Sequence, residues 1–262
     1  MRNALLRLFS LLFLLGCNAK DSKESKDTEE AYVLHKGEIC LCNLSTKQLS
    51  ALEISNKEII RFSLSPKHDY IAYLQSTHRD DCVEFASLGI YDIEKECTIA
   101  VLGSEKYASF YFERWVSDST FVYTMGVSTS PDEYKTGDWS IASYLYTAGH
   151  GITKSDTEWG DPGSGPRPIS KNDGFLTYDG EDGIHLLDKQ TQITKIIKIE
   201  GDDIIYYKTV AWQNPDKFVF LARRRYRHQC DRERADLYCY DLHADQKQLL
   251  LRDVTNVEMI DE

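Results

Sequence analysis

Short apolar segments separated by turn residues recur along most of this chain, and this repeat limits the fold more than any other feature of the sequence. The clearest copy has apolar segments at residues 62–64, 70–74, 88–93 and 97–102, with a Ser-Pro turn after the first. Apolar and polar positions alternate within the segments, and no helical period is present. Each copy is therefore predicted to form an antiparallel sheet of four strands.

Three further copies follow in the same order. Their predicted strands are residues 109–115, 120–123 and 144–146 in the second copy, 175–178, 183–188 and 193–197 in the third, and 204–212, 217–221, 236–241 and 248–251 in the fourth. The spacing of the copies is roughly 40 residues or slightly more, which is typical of the blades of a β-propeller. The sequence therefore predicts an all-β domain with this architecture.

The two ends of the domain complement one another. Residues 256–260 read as the innermost strand of a blade that has no further strands. Residues 31–34, 38–43 and 48–54 read as the later three strands of a blade that lacks its first. Together they predict a fifth blade of four antiparallel strands, in which the C-terminal strand closes the ring and leaves no open sheet edge. Six blades with one degenerate copy is the alternative.

The sequence around the first turn resembles a known repeat. Ser65-Pro66 and Asp69, followed by Ile71-Ala72-Tyr73 and later by Ile90-Tyr91-Asp92, resemble the TolB-type, WD40-like propeller repeat. Residues 212–241 resemble it more loosely, and the remaining copies match by spacing. The resemblance implies an architecture that many functions share. Similar TolB-like modules act as protein-binding scaffolds in the cell envelope, so it also implies a protein partner.

The N-terminus predicts export and lipid attachment. An apolar run at residues 8–15 follows Arg2 and Arg7 and is too short to cross a bilayer, which takes about 20 residues. The run ends at Gly16 and Cys17, in a segment that resembles the lipobox of bacterial lipoproteins. In that family a signal peptidase cuts before the cysteine, which then carries lipid. A plain signal peptide with an incidental cysteine is the alternative.

Three segments are predicted on this basis. Residues 1–16 form the signal peptide, residues 17–30 form the lipidated cysteine with a flexible polar tether, and residues 31–262 form the propeller. Asn18, where an Asp would resemble a retention signal of the inner membrane, favours the outer membrane of a Gram-negative cell. We therefore expect a lipid-anchored protein of the cell envelope that faces the periplasm or the cell surface.

The two sides of the predicted ring differ in their connections. Because antiparallel strands alternate in direction, the connections after first and third strands share one side, and these are short. The other side carries the connections at residues 76–87, 127–142, 155–168 and 223–235. We name the two sides the short-turn face and the long-loop face. Long connections tend to be functional, so we expect the long-loop face to bind a partner and to point away from the membrane; variation of loop length without selection is the alternative.

Aromatic and basic side chains of these connections are the candidate partner-binding residues. They are Tyr134, Trp139, Trp159, Arg223, Arg224, Arg225 and Arg227. Aromatic side chains in polar loops resemble interface anchors, although a tryptophan packed against the rim of the ring fits the pattern equally. The arginines suit a carboxylate, phosphate or sulfated partner. Alternatively they pair with acidic neighbours such as Asp231 and Glu233.

Six cysteines follow Cys17, and an even number in an exported chain suggests up to three disulfides. They are Cys40, Cys42, Cys82, Cys97, Cys230 and Cys239. Cys40 and Cys42 share one face of a predicted strand, and Cys239 lies on the matching strand of the adjacent blade, so a pair between these blades is feasible. Cys82 and Cys230 both fall on the long-loop face, where they can meet. A metal clip at Cys40 and Cys42 lacks a second ligand pair, so no metal is expected.

Charge and motifs limit the function. The chain has 42 acidic and 31 basic residues and a formal charge of −11, so nucleic-acid binding is not expected. The sequence contains no nucleophile elbow, zinc-binding helix or phosphate-binding glycine loop. We expect a protein-binding scaffold without catalytic residues or a cofactor. The alternatives are a glycan-binding module and a five-bladed glycosidase with Glu113 and Glu258 in the central funnel.

Overall fold

About two thirds of the described residues lie in antiparallel β-strands. The computed structural model describes residues 30–54, 58–80, 83–103, 107–136, 140–155, 174–201, 203–225 and 234–260. The strands are β1 (Glu30–His35), β2 (Glu38–Asn43), β3 (Gln48–Ala51), β4 (Ile59–Leu64), β5 (Tyr70–Asp80), β6 (Val83–Asp92), β7 (Cys97–Leu102), β8 (Ala108–Trp115), β9 (Thr120–Val127), β10 (Ser140–Thr147), β11 (Gly151–Lys154), β12 (Phe175–Tyr178), β13 (Ile184–Asp188), β14 (Thr194–Ile197), β15 (Ile204–Asn214), β16 (Lys217–Arg224), β17 (Ala235–Asp241) and β18 (Gln246–Met259). One short helix, α1 (Pro131–Thr136), lies between β9 and β10.

The described strands form four antiparallel sheets. The first sheet contains β4 to β7, the second contains β8 to β11, and the third contains β12 to β14. The remaining sheet has seven strands in the order β15-β16-β17-β18-β1-β2-β3, so it joins the two ends of the domain. The prediction of antiparallel all-β sheets is confirmed. The described strands do not form five separate blades, and no closed ring is found among them.

The seven-stranded sheet arises because β18 changes partner along its length. Its first part pairs with β17, with Leu251 opposite Leu237, and its second part pairs with β1, with Met259 opposite Ala31. Asp253 lies where the partner changes; its φ is 55°, and its N–H donates to Asp236 Oδ1 at 3.3 Å. The C-terminal strand therefore pairs with the N-terminal strands as predicted, but one strand serves both units and unites them in one sheet.

Two predicted long loops contain regular structure. Residues 76–87 belong almost entirely to β5 and β6, because Phe85 is fully buried and stacks on His78 across the hairpin, with ring centroids 6.1 Å apart. Residues 127–142 contain α1. The other two predicted loops lie mostly outside the described residues, since 156–173 and 226–233 are not among them.

Buried apolar clusters join the sheets face to face. Their members include Leu88 and Phe121 between the first and second sheets, Ile39 and Phe62 between β1–β2 and the first sheet, Val33 and Leu237 between the two parts of the seven-stranded sheet, and Ile184 and Phe218 between the third sheet and β16. Burial of such side chains stabilises by about 1.5–3 kcal/mol each. Among the described side chains, no such cluster joins the second sheet to the third.

A five-residue turn recurs once in each predicted blade, between its third and fourth strands. It begins at Asn, Asp or Thr and ends four residues later at a residue with positive φ. The copies run from Asn43 to Lys47, Asp92 to Glu96, Thr147 to Gly151, Asp188 to Gln192 and Asp241 to Asp245. In the four Asn or Asp copies, the first side chain accepts a hydrogen bond from the N–H three residues later, at 2.8–3.1 Å. We name these copies the five-residue turns.

Candidate functional site

A polar pocket of about 740 Å³ lies on the long-loop face, where several strand ends meet. Its walls come from the β1–β2 turn, the beginnings of β4 and β6, the middle of β15, the end of β16, the residue before β17 and the middle of β18. The volume falls in the range of small-ligand pockets, roughly 300–1,000 Å³. The pocket thus lies on the side where the partner-binding site was predicted.

A tight turn forms one side of the pocket. Lys36 and Gly37 have φ values of 51° and 83°, and a two-residue hairpin turn of type I′ requires a positive φ at both positions. Gly37 O accepts a hydrogen bond from Ile59 N–H at 2.8 Å. A Cβ at position 37 would lie 2.6 Å from Glu58 Cγ. Glycine therefore lets the β1–β2 turn approach the beginning of β4 and close this side of the pocket.

Two cations project from the middle of otherwise apolar strands. Arg61 on β4 is exposed although the adjacent Phe62 is buried. Lys208 on β15 is exposed between the buried Tyr207 and Thr209. Lysine and arginine are almost never fully buried without a partner, and both of these side chains border the pocket. The pocket is what gives these mid-strand cations access to solvent.

More cations than carboxylates line the pocket. The cations are Lys36, Arg61, Lys208, Arg223 and Arg234, and the carboxylates are Glu58, Glu84 and Asp253. Burial raises the pKa of Glu84, although hydrogen bonding from Ser76 and the charge of Arg79 oppose this shift. This local excess contrasts with the charge of −11 for the whole chain. Charges are screened over about 8 Å at physiological ionic strength, so a ligand in the pocket senses the lining more than the distant surface.

Glu258 and Asn256 cover an edge of β4. Glu258 Oε2 accepts a hydrogen bond from Leu64 N–H at 3.3 Å, and Asn256 Nδ2 donates to Phe62 O at 2.6 Å. Strand β4 lies at the edge of the first sheet and pairs only with β5, so its other edge needs such partners. The two side chains therefore join β18 to β4 in place of a strand ladder.

The surroundings of Glu258 make it a weak acid. Burial raises its pKa to about 7, although Leu64 N–H, Lys208 and Arg61 favour the ionised form. Its carboxyl is directed to the backbone of β4, and the residue is not part of the pocket lining. The side chain of Glu113, the other carboxyl of the glycosidase alternative, lies outside the described residues. The described geometry gives Glu258 a structural role at the junction of β18 and β4.

Two of the predicted arginines reach the surface of the long-loop face. Arg223 lines the pocket, and its guanidinium lies 5.8 Å from the centre of the Tyr206 ring. Arg225 is exposed, and its N–H donates to Asp203 O at 2.6 Å. Arg223 is therefore the member of the predicted cluster that the structure places in the pocket.

Arg224 forms ion pairs within the molecule, and its role as a partner-binding residue stays a prediction. Its guanidinium forms an ion pair with Asp236, a buried carboxylate on β17, and Arg224 Nη1 lies 3.8 Å from Asp203 Oδ2. Arg224 lies two residues after Ala222 on β16, so both side chains are on the same face of the strand. Ala222 is paired with Asp236 on β17, which brings Asp236 within reach of Arg224. The alternative of pairing with acidic neighbours therefore holds for Arg224.

Tyr134 belongs to α1, whose first turn is fixed by local hydrogen bonds. Glu133 N–H donates to Ser130 Oγ at 3.2 Å, and Glu133 Oε2 accepts from Thr129 N–H at 2.8 Å, as in a capping box. Other predicted site residues lie outside the described residues. They are Gly16, Cys17, Cys82, Trp139, Trp159, Arg227 and Cys230.

Four of the predicted disulfide cysteines are described, and all are free thiols. They are Cys40, Cys42, Cys97 and Cys239. Cys40, Cys42 and Cys239 contact the same apolar cluster, but the predicted bond between the blades is absent, and Cys239 Sγ donates to Gln213 Oε1 at 3.3 Å. Burial raises the pKa of both Cys42 and Cys239 to about 11, which disfavours the reactive thiolate.

The described part of the chain also lacks two kinds of feature. No helix within it has the length and apolar character to cross a bilayer. No three His, Cys, Asp or Glu residues in the described ranges form a group that could hold a metal ion.

Sequence reasoning missed Arg61 and Lys208. Each is the single cation in an apolar strand, within Ile-Ile-Arg-Phe and Tyr-Tyr-Lys-Thr-Val respectively. A charge at such a position signals that the strand borders water, and in a predicted propeller the water lies in the central channel. This signal was present in the sequence.

Comparison with known proteins shows no family. No family model and no curated protein match the sequence. A puromycin-hydrolyzing peptidase from Mycobacterium tuberculosis matches with 13% identity and a TM-score of 0.34, over 82% of this chain and 33% of that chain. A structure from work on two prolyl endopeptidases matches with 15% identity and a TM-score of 0.35, over 87% of this chain and 36% of that chain. The chain thus spans about a third of the length of these peptidases.

A protein assigned as a TolB, from Agrobacterium tumefaciens, matches with 13% identity and a TM-score of 0.33, over 87% of this chain and 84% of that chain. TM-scores of this size transfer neither fold nor activity. The architecture of this chain therefore rests on its own strand order and register.

Proposed function

We propose that the protein is a lipid-anchored, five-bladed propeller of the cell envelope that binds a protein partner through its long-loop face. The observation that carries this proposal is the pocket of about 740 Å³ at that face. Binding sites favour concave surfaces assembled from several segments of a rigid scaffold, and this pocket has walls from the first sheet and from both parts of the seven-stranded sheet.

Internal repetition supports the five blades of the proposal. Within the described residues the five-residue turn occurs five times, and two of its copies, at Asn43 and Asp241, belong to the seven-stranded sheet. That sheet therefore corresponds to two blades that share β18. Pairing of β18 with β1 joins the two ends of the domain, which is how a propeller ring closes.

Binding without catalysis fits the surroundings of two thiols and one carboxyl among the described residues. The buried thiols of Cys42 and Cys239 have raised pKa values, so they stay protonated at neutral pH. The carboxyl of Glu258 is engaged with the backbone of β4. The two thiols are therefore poor nucleophiles, and the carboxyl of Glu258 already has a structural hydrogen-bond partner.

Membrane attachment is tested at Cys17. Cys17→Ser should move the protein from the membrane fraction to the soluble fraction, because the lipid chains contribute the anchoring free energy, about 0.8 kcal/mol per buried CH₂. Cys97→Ser, which removes an exposed thiol elsewhere, should leave fractionation unchanged. Cys17→Ser protein that stays in the membrane fraction would contradict the lipid anchor.

Partner binding is tested by placing a photo-crosslinking residue on each face in living cells. Lys36 is exposed at the pocket, and Gln190 is exposed in a five-residue turn on the short-turn face. We expect a discrete protein adduct from position 36 and none from position 190, seen by immunoblot and identified by mass spectrometry. Adducts of equal yield at both positions, or none at position 36, would refute a partner at this face.

A further inference from the structure

The cations of the pocket come from widely separated parts of the chain. Lys36 lies in the β1–β2 turn, Arg61 in β4 and Lys208 in β15, while Arg223 and Arg234 flank the connection between β16 and β17. Because they line different walls, no single compact ion meets all of them. This arrangement favours a ligand whose negative charges are spread over its length.

Carboxylates interspersed among these cations restrict the ligand further. Glu58, Glu84 and Asp253 line the same pocket and would repel a dense dianion such as phosphate. They can instead accept hydrogen bonds from N–H groups. A peptide that carries acidic side chains offers both features, since its backbone presents an N–H donor at each residue and its carboxylates are spaced along the chain.

We infer that the pocket binds an acidic peptide segment, rich in Asp or Glu, with Arg61 and Lys208 as its central anchors. This inference rests on the proposed partner binding and specifies the chemistry of the partner. Both anchors are exposed, and the nearby Glu258 keeps its carboxyl on Leu64 N–H, outside the pocket lining. Asn256 uses its Nδ2 on Phe62 O, which leaves its Oδ1 as an acceptor beside the pocket.

The acidic character of the rest of the chain does not oppose this binding. Carboxylates such as Asp92, Asp188 and Asp241 lie in the five-residue turns of the short-turn face, where their own turn N–H groups bond to them. Over a screening length of about 8 Å, the pocket cations dominate the potential that a bound peptide senses. Binding should weaken as ionic strength rises.

The test measures the Kd of fluorescein-labelled hexaglutamate for the full chain in detergent, by fluorescence anisotropy. Arg61→Gln and Lys208→Gln should each raise the Kd about five- to tenfold, because each removes one charge-assisted contact. Arg252→Gln is the matched control, because Arg252 is exposed on β18 but is not part of the pocket lining. The Kd of this variant for hexaglutamate should differ less than twofold from that of the wild type. Lys208→Arg keeps the charge and should retain most of the affinity.

Several outcomes would overturn the inference. These are equal affinity for hexaglutamine, unchanged affinity in both glutamine variants, or inorganic phosphate competing more strongly than unlabelled hexaglutamate. Unfolding midpoints of the variants separate loss of the site from loss of the fold. An adduct at Lys36 without peptide binding would refute only the acidic ligand, whereas peptide binding without any adduct would refute only the proposed protein partner.

Discussion

The pKa values of two carboxyl groups on the short-turn face and of two beside the pocket are shifted in opposite directions. In the five-residue turns, hydrogen bonds from backbone N–H groups lower the pKa of Asp188 and Asp241. Beside the pocket, burial raises the pKa of Glu84 and Glu258. Hydrogen-bond donors in the turns thus stabilise the ionised form of these acids. Burial between the sheets instead favours the neutral form of Glu84 and Glu258. The first kind stabilises the repeat, and the second makes the centre of the molecule sensitive to pH.

Among the carboxyls of the short-turn face and those beside the pocket, Glu258 is expected to have the largest effect on the pH dependence of stability. Its pKa is about 7 in the folded protein against an ordinary value of 4.5, so the folded state binds the proton more tightly than the unfolded state. The wild type should therefore lose stability as pH rises from 4.5 through 7. Glu258→Gln removes this loss and keeps an acceptor for Leu64 N–H, so it should be more stable than the wild type by about 2–3 kcal/mol at pH 8.

Urea unfolding at two pH values checks this expectation. Near pH 4.5 the variant and the wild type should unfold at similar urea concentrations, because the carboxyl is then neutral in the folded state and only about half ionised in the unfolded state. Glu94→Gln changes an exposed acid in a five-residue turn and should not reproduce the gain at pH 8. If Glu258→Gln unfolds with the same pH dependence as the wild type, burial does not raise the pKa of Glu258, and the difference between the two groups of carboxyls is wrong.

Local patterns in the sequence were enough to predict most of the strands, although β11 was not predicted. Alternation around Phe62 predicts a strand because Phe62 enters the core and its neighbours Arg61 and Ser63 do not. Around Tyr73 the strand is an apolar run instead, because Tyr73 packs in one cluster and its neighbours Ala72 and Leu74 pack in another. The five-residue turns were equally open to prediction, since an Asn or Asp precedes the positive-φ position by four residues in four of the copies. Such features need only a few consecutive residues.

Features that depend on distant segments were not predictable in the same way. The pocket brings together Lys36, Arg61 and Lys208, which are far apart in sequence. The sequence predicts two separate strands in place of β18, because the change of partner from β17 to β1 near Asp253 depends on segments that are distant in the chain. The conformation of Asp253 depends on Asp236, whose carboxylate receives both Asp253 N–H and Arg224.

A smaller effect should show that stability and recognition lie at opposite faces. Asp92 is buried and accepts hydrogen bonds from Lys95 N–H at 2.9 Å and Lys95 Nζ at 2.7 Å, so Asp92→Ala should lower the free energy of unfolding by about 1–2 kcal/mol. Asp188 is more accessible, and water can replace it at its turn N–H groups, so Asp188→Ala should lower this free energy less than Asp92→Ala does.

The same two variants separate stability from ligand binding. Both alter the short-turn face, away from the pocket lining, so the Kd for hexaglutamate should stay within twofold of the wild type while urea unfolding shifts. Asp92→Asn is the matched control, because it keeps the Oδ1 acceptor for Lys95 N–H and should recover part of the lost stability. A Kd that rises in step with the loss of stability would mean that the turns also shape the pocket, and the division between the two faces would then be wrong.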